Sequence, residues 1–441
     1  MPKWALLVFL AADNDLNDYA TKDLHEMEQV GSSEELSILV HVDANGSTPS
    51  RRGVIEKNPQ WQKHDLALAS QLETIEESNT GDPQVLTDFI VWAAVKTRAE
   101  NYVLVIWSHG SGWRATFLQE TASKSFPGIS SKMLDFGQRL QPLTVGRVWR
   151  SSVAKRIENV LGSVKTSTDG VIISQRDVVE ELSVAIDRAI ALDESSLGDA
   201  LEVIELQGAL ETAARLLDER QVPYHLVVVG FDACLMSGVE VLFAIKGSAE
   251  FVVGSQEIEP GVGWRYDIFL AQLEKLPTLT PGEIARTAVS AYIEGLASYK
   301  IRLITMAAHN LAAVESVCDD LNVLAGLLIP TLDAHYKSIA KAEKLSTRFR
   351  DKEQMDLKTF VVRVAAAGIS EEITNSCLRV MNGLKKLVIS NTYAFARPDQ
   401  EPGGVSIYFP TAESPASEYQ TLDFVRKCPR WLEFIEKYNF S

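Results

Sequence analysis

Five short apolar runs, rich in Val, Ile and Leu, constrain what this chain can fold into: WALLVFLAA from Trp4, LSILVHVDA from Leu36, YVLVIWSHG from Tyr102, HLVVVGFDAC from His225 and EFVVGSQE from Glu250. A strand with one wet face alternates apolar and polar residues. These runs hardly alternate, so both of their faces are covered, which is the signature of a parallel sheet between helices. The intervening segments supply the helices. In LNDYATKDLHEMEQV, Leu16, Tyr19, Ala20, Leu24 and Met27 recur at helical spacing, and PQVLTDFIVWAAVKTRAE places Pro83 where a first turn tolerates it. The first hundred residues therefore read as a β-α-β-α-β series in an α/β fold.

Two later stretches differ. Between Arg114 and Arg176 lie ten basic and only four acidic residues, in a chain of net charge −16. This reads as a long insertion on the sheet scaffold. From about Ser183 to Arg220 an acidic, Leu- and Ala-rich stretch reads as helical. Further on, Thr280-Pro-Gly-Glu283 is a capping-box helix start, LAAVESVCDDLNVLAGLL is an amphipathic helix, and GGVSIYFP from Gly403 is a late strand expected to join the main sheet. The expected division is a catalytic region over 1–275 and a helical, mixed region over 276–441.

The acidic balance argues against a phosphate-binding surface, because nucleic-acid affinity comes mainly from Lys and Arg. No apolar run reaches the ~18 residues needed to span a bilayer, so neither nucleic acid nor membrane is an expected partner. The N-terminal run ends in acidic residues without a small-residue cleavage site and reads as a buried strand. A cytosol-like location is the default expectation, with export left open. Cys234, Cys318, Cys377 and Cys428 are scattered, without metal-ligand spacing, and are expected to be reduced.

The chemistry sits at two strand ends. One apolar run ends in Ser108-His109-Gly110, another in Asp232-Ala233-Cys234. In open α/β sheets the carboxyl ends of strands line the ligand crevice. An imidazole beside a thiol can generate the reactive thiolate. Gly110 leaves room for close backbone approach, so its amide and that of Cys234 could hold an oxyanion. Each residue also has a bland reading: a strand-end Cys is commonly a small buried hydrophobe, and Asp232 could cap a loop. Cys318, Cys377 and Cys428 read as packing thiols, His309 and His335 as helix-flanking residues, and Trp113 and Trp264 as cleft-lining or packing residues.

WSHGSGW and FDACLMS, with SQEIEPGVGWRYD downstream, resemble the clostripain family of cysteine peptidases. AADNDL followed by LHEM, the NTGDP segment and the late SIYFP strand also fit that family. The resemblance spans most of the chain except the basic insertion. It implies a caspase-like three-layer sandwich, with a mostly parallel central sheet flanked by helices, and an endopeptidase acting after Arg or Lys. It makes Cys234 the nucleophile and His109 its partner, and gives Asp232 the pocket for the basic side chain. Ser255 and Glu257 are further substrate-binding candidates. A carboxylate there would engage guanidinium through charge-assisted bonds. The family also implies self-cleavage between His and Cys, for which the basic insertion offers sites.

Calcium is required by some members, although the dyad chemistry itself needs no cofactor. Asp13 and Asp15, with Asp18, offer hard oxygen ligands, and an acidic helix start explains them equally well. The sequence alone identifies no acid orienting His109. Two other readings stay open: a caspase-like binding module with a degenerate dyad, and a receiver-like phosphoacceptor domain, which has no use for the Gly-flanked His.

Overall fold

The computed structural model of the protein describes residues 1–44, 49–58, 60, 68–113, 190–193, 196, 199–276, 278–297, 304–394, 401–410 and 415–440. The basic stretch 114–176 lies outside the described residues.

The chain begins β1 (Trp4–Ala12), α1 (Asn17–Val30), β2 (Leu36–Ala44), β3 (Arg51–Val54), β4 (Glu73–Thr74), α2 (Pro83–Thr97), β5 (Asn101–Trp107). It resumes with β6 (Ile190–Asp193), β7 (Asp199–Leu201), α3 (Val203–Glu219), β8 (Leu226–Asp232), α4 (Val239–Ile245), β9 (Phe251–Gly254), α5 (Tyr266–Lys275) and α6 (Pro281–Leu296). β10 (Ile304–Asn310), α7 (Val314–Leu328), α8 (Leu332–Leu345), β11 (Gln354–Asp356), α9 (Leu357–Ala366), α10 (Glu371–Leu387), β12 (Val388–Ala394), β13 (Ser406–Tyr408), α11 (Asp423–Lys427) and α12 (Pro429–Asn439) complete it.

Nine strands form one sheet in the order β12-β10-β9-β8-β5-β1-β2-β3-β4. The five central strands, β9 to β2, are mutually parallel, and antiparallel strands close both edges. The five apolar runs are those five strands. Along β1, Leu7, Phe9 and Ala11 face one core, while Leu6, Val8 and Leu10 face the other. Both cores exclude water, and each large apolar side chain sealed this way contributes about 1.5–3 kcal/mol. α2, α3, α4 and α7 cover the first face; α1, α5 and α6 cover the second. Helix starts follow the expected chemistry. Asp82 caps α2 by accepting from Gln84 N at 2.8 Å, with Pro83 next, and Thr280 and Glu283 form the capping box of α6.

Three expectations change. The stretch expected to be helical from Ser183 opens, where it is described, with the antiparallel pair β6 and β7; helix begins only at Val203. The GGVSIYFP strand does not join the main sheet. β13 pairs with β11, and Ser406 forms a lone bridge to Gly238. Ile407 and Phe409 are fully buried, so this short run is an internal tie with no edge left to extend. The region after residue 275 instead gives β10 and β12 to the main sheet. Their sequences, ITMAAHN and VISNTYA, carry small and polar residues that hide a strand from apolar-run reading. Among the described residues no helix is long and apolar enough to cross a membrane.

Candidate active site

The strand order decides the site. β5 lies between β8 and β1, and Trp107 pairs with Asp232 in register. Two residues further on, His109 and Cys234 therefore leave neighbouring strands side by side. β1 flanks β5 on the other side, so its carboxyl end delivers Asp15 to the same crevice. The chain goes from β1 to β2 on one side and returns to β5 on the other, which makes this the switch point where α/β sheets bind ligands.

His109 and Cys234 line one pocket of about 230 Å³ with Leu16, Asp232, Glu259, Gly261 and Arg350 among its walls. His109 is buried, and its Nε2 lies 2.7 Å from Asp15 Oδ1. Asp15 is thus an acid held against the imidazole, a pairing the sequence did not reveal. Gly110 runs against the Cys234 backbone: a Cβ there would stand 2.2 Å from the Cys234 carbonyl oxygen and 2.8 Å from its nitrogen. Only glycine permits that approach. Leu235 follows Cys234 with φ +64°, a left-handed conformation a leucine rarely adopts, and its N–H donates to Glu257 O at 3.2 Å. Cys234 therefore sits on a strained turn pinned by the next loop.

That loop is SQEIEPGVGWRYD. The Glu259 N–H donates to Cys234 Sγ at 3.2 Å. This bond favours a thiolate, but burial outweighs it, and with the nearby Glu259 carboxyl it pushes the thiol up to about 12. Asp232 is 5% exposed and accepts from Trp264 N at 3.1 Å and from Tyr266 Oη at 3.0 Å. Gly263, at φ +56°, passes so close that a Cβ would lie 2.8 Å from Asp232 Oδ1. The Gly-Trp-x-Tyr portion of the loop is thereby explained as a wrapper around one carboxyl group. Burial raises Asp232 to about 7 against the opposing pull of these donors. Burial, then Asp232, raises Glu259 well above the ordinary carboxylate range. Asp23, bonded by Trp107 Nε1 at 2.8 Å, is likewise raised by burial and by Asp232. Several carboxyls thus share a poorly solvated region, an arrangement that a cationic side chain would relieve.

Other expected residues lie elsewhere. Ser255 and Glu257 are fully buried and do not line the pocket. Ser255 Oγ is 2.8 Å from Thr305 Oγ1 and donates to Glu257 O, while the Glu257 carboxylate accepts from Ile258 N and Arg350 N. They shape the loop that carries Glu259 and fix the backbone of Arg350 at the pocket. Trp113 packs on Tyr408 and Tyr419, and Trp264 lies over Gly230; neither lines the pocket. His309 belongs to β10 and is not helix-flanking: its Nε2 is 2.7 Å from Gly404 O, and burial lowers it to about 4, so it is a neutral tie. His335 lies within α8. Cys318, Cys377 and Cys428 are buried.

The acids of the first strand end separate. Asp15 engages His109, whereas Asp13 groups with Asp43 and Asp193, with one oxygen of each within 4.8 Å of the others. Between them Asn14 Nδ2 donates to Ala11 O and to Leu192 O, both at 2.9 Å.

Comparisons with known proteins bear on the family and the fold. No curated protein matches the sequence. Residues 8–126 and 155–438 match the clostripain family of C11 peptidases. Among solved structures, the chain is similar to a secreted C11 cysteine protease from Bacteroides thetaiotaomicron in complex with an irreversible peptide inhibitor, at TM-score 0.60 and 15% identity over the whole of both chains. It is also similar to an inactive zymogen C11 protease from Parabacteroides distasonis, at TM-score 0.61 and 16% identity, covering 97% of this chain and 98% of that one. A further structure of a secreted C11 cysteine protease from B. thetaiotaomicron, iotapain, gives TM-score 0.63 at 11% identity, covering 97% of this chain and 99% of that one. At such identities the likeness is one of fold, the caspase-like α/β sandwich. The match over nearly the whole sequence goes further: the chain belongs to the clostripain family and is a cysteine peptidase.

Proposed function

We propose that this peptidase is an endopeptidase that cleaves after Arg or Lys, with Cys234 as nucleophile and His109 as its proton carrier. The observation that carries the reading is the pocket itself: His109 and Cys234 open onto it, and the buried Asp232 forms part of its wall. A guanidinium or ammonium entering there would draw Asp232 into its ionised form and pair with it.

In the proposed reaction the Cys234 sulfur gives up its proton to His109 and attacks the carbonyl carbon of the basic residue. The Gly110 and Cys234 amides receive the developing oxyanion. Imidazolium, held toward Asp15, then protonates the leaving amine. Water, activated by neutral His109, hydrolyses the thioester and restores the thiol. Since burial holds the free thiol near 12, the described state is a resting one, and substrate seating must bring about the proton transfer. We further propose that cleavage at basic sites within 114–176 matures the chain, because those sites lie between the two catalytic residues in sequence. Intact mass of a chain already at full activity would remove that part of the reading.

The test compares fluorogenic Arg-, Lys- and Ala-terminated peptides on wild type, Cys234→Ala and Asp232→Asn. Cys234→Ala should abolish turnover. Asp232→Asn should lower kcat/KM for Arg and Lys peptides by roughly 10²-fold or more while sparing the Ala peptide. Turnover that survives Cys234→Ala, or a basic preference unchanged by Asp232→Asn, sinks the proposal. No turnover by any form favours the degenerate binding module.

A further inference from the structure

We propose that Arg350 is a specificity-determining residue for the acyl side of the substrate: it selects an acidic side chain in the positions just before the basic residue and disfavours a second basic one there. This rests on the reading of the site as an Arg/Lys endopeptidase. Arg350 shares the pocket with His109, Asp232, Cys234 and Glu259. It is exposed, and among the described residues its guanidinium has no hydrogen-bonded or ion-paired partner. Water serves it in the free enzyme. A peptide entering the cleft displaces that water, and the charge then favours an anion on the peptide over a neutral group and repels a cation. In a site whose deep wall is acidic, the same peptide can satisfy both ends only by carrying both signs.

The residue is held where it can do this. Both oxygens of the buried Glu257 carboxyl accept from Arg350 N, at 3.1 and 3.2 Å. Phe349 is buried, and Arg348 bonds Glu343 Oε1 at 2.6 Å and Phe409 O at 2.9 Å. The backbone is therefore fixed on both the pocket side and the core side, and only the side chain is free to meet a ligand.

Strand order gives the half of the substrate that it meets. From β9 through β8 to β5 the sheet edge carries in turn the loop of Glu257, then Cys234, then His109. Arg350 is anchored to the first of these, on the opposite side of Cys234 from His109. In the proposed reaction His109 serves the leaving amine, so the leaving half of the peptide lies toward β5. The acyl half lies toward β9, and the residues preceding the basic one pass Arg350.

The test uses the full chain and internally quenched peptides with a single Arg at the scissile bond. Glu, Gln or Lys is placed at either of the two preceding positions, or at the following one, with Ala elsewhere. At low salt, kcat/KM should favour Glu over Lys by roughly 10-fold at a preceding position, because an exposed charge pair is worth a few-fold as attraction and a like amount as repulsion. The ratio should shrink several-fold in about 0.5 M salt. Arg350→Gln should bring the Glu-to-Lys ratio near 1, and Arg350→Glu should invert it. The ratio is taken within each variant, so a general loss of activity does not imitate the effect. A flat ratio in wild type, a ratio that survives Arg350→Gln, or a preference confined to the following position overturns the proposal while cleavage after Arg stands. No cleavage of any Arg peptide overturns both readings together.

Discussion

Asp15 Oδ1 stands 2.7 Å from His109 Nε2, and the pair exists because β1 and β5 are neighbours in the sheet. On the other side of His109, β8 brings Cys234. Thiol, imidazole and carboxylate thus follow the spatial order of three strands, while in sequence they lie at 234, 109 and 15. In the proposed mechanism the carboxylate fixes the ring's orientation and stabilises the imidazolium as it forms.

Asp15→Asn should therefore lower kcat with little change in KM. In buried triads the loss of such an acid costs about 10⁴-fold. The Asp15 side chain is 36% exposed, so water partly replaces it, and a loss of about 10- to 100-fold is expected. Asp15→Glu should recover part of the rate, which a purely structural role would not predict. Steady-state kinetics on an Arg peptide decides: wild-type kcat in Asp15→Asn would falsify the orienting role.

Gly110→Ala tests the backbone approach. Its Cβ would fall 2.2 Å from the Cys234 carbonyl oxygen, and backbone on both sides leaves no flexible atom to yield. The strand ends must part, and a shift near 1 Å at reacting groups costs about 10²-fold in rate. Overpacking should also lower stability by about 1–3 kcal/mol. Gly208→Ala is the control. It lies inside α3 with nothing within 4 Å of its Cβ, and it should stabilise by about 0.5–1 kcal/mol. Equal activity and Tm for the two variants would count against the close approach.

The central strands were legible because burial on both faces writes itself as an uninterrupted apolar run. The meeting of His109 and Cys234 at one sheet edge was legible because each lies two residues past the end of such a strand. Asp15 was not, since an acid after a strand can cap a helix, bind a cation or hold a distant ring with the same local sequence. Only strand order separates these roles. Ser255 and Glu257 show the converse: their motif is real, but it shapes a loop whose pocket-facing member is Glu259. β10 and β12 escaped because Ala, Ser, Asn and Thr in an edge pairing leave no apolar signature.

Glu240 carries a stability prediction outside the site. It is 1% exposed, and its Oε1 accepts from Tyr408 N and Tyr419 Oη, both at 2.9 Å, tying α4 to β13 and the segment beyond. Burial raises its carboxyl to about 7, against 4.5 when unperturbed. A raised folded-state value means that the contribution is complete below about 4.5 and is lost as pH climbs through about 7. Glu240→Gln removes this titration, so between pH 5 and 8 its Tm should fall less steeply than that of wild type. The difference in slope corresponds to up to about 3 kcal/mol. Calorimetry in the Cys234→Ala background gives the answer, and parallel slopes would refute it.

Cys234 offers the sharpest test of the resting state. Burial pushes the thiol up to about 12, the Glu259 carboxyl adds to the rise, and the Glu259 N–H at 3.2 Å opposes it without prevailing. At neutral pH the unliganded thiol is then protonated. Its alkylation by iodoacetamide should be slow and should climb about tenfold per pH unit through pH 9 without levelling, because only the thiolate reacts. The other three cysteines are buried, so mass spectrometry of the Cys234 peptide isolates the signal. Glu259→Gln keeps the backbone N–H on the sulfur and removes a carboxyl whose ionisation burial holds back, so alkylation should quicken several-fold only in the alkaline range where that carboxyl would be charged. A plateau near pH 6–7 would instead reveal a preformed thiolate–imidazolium pair with His109, and the resting-state reading would have to be abandoned.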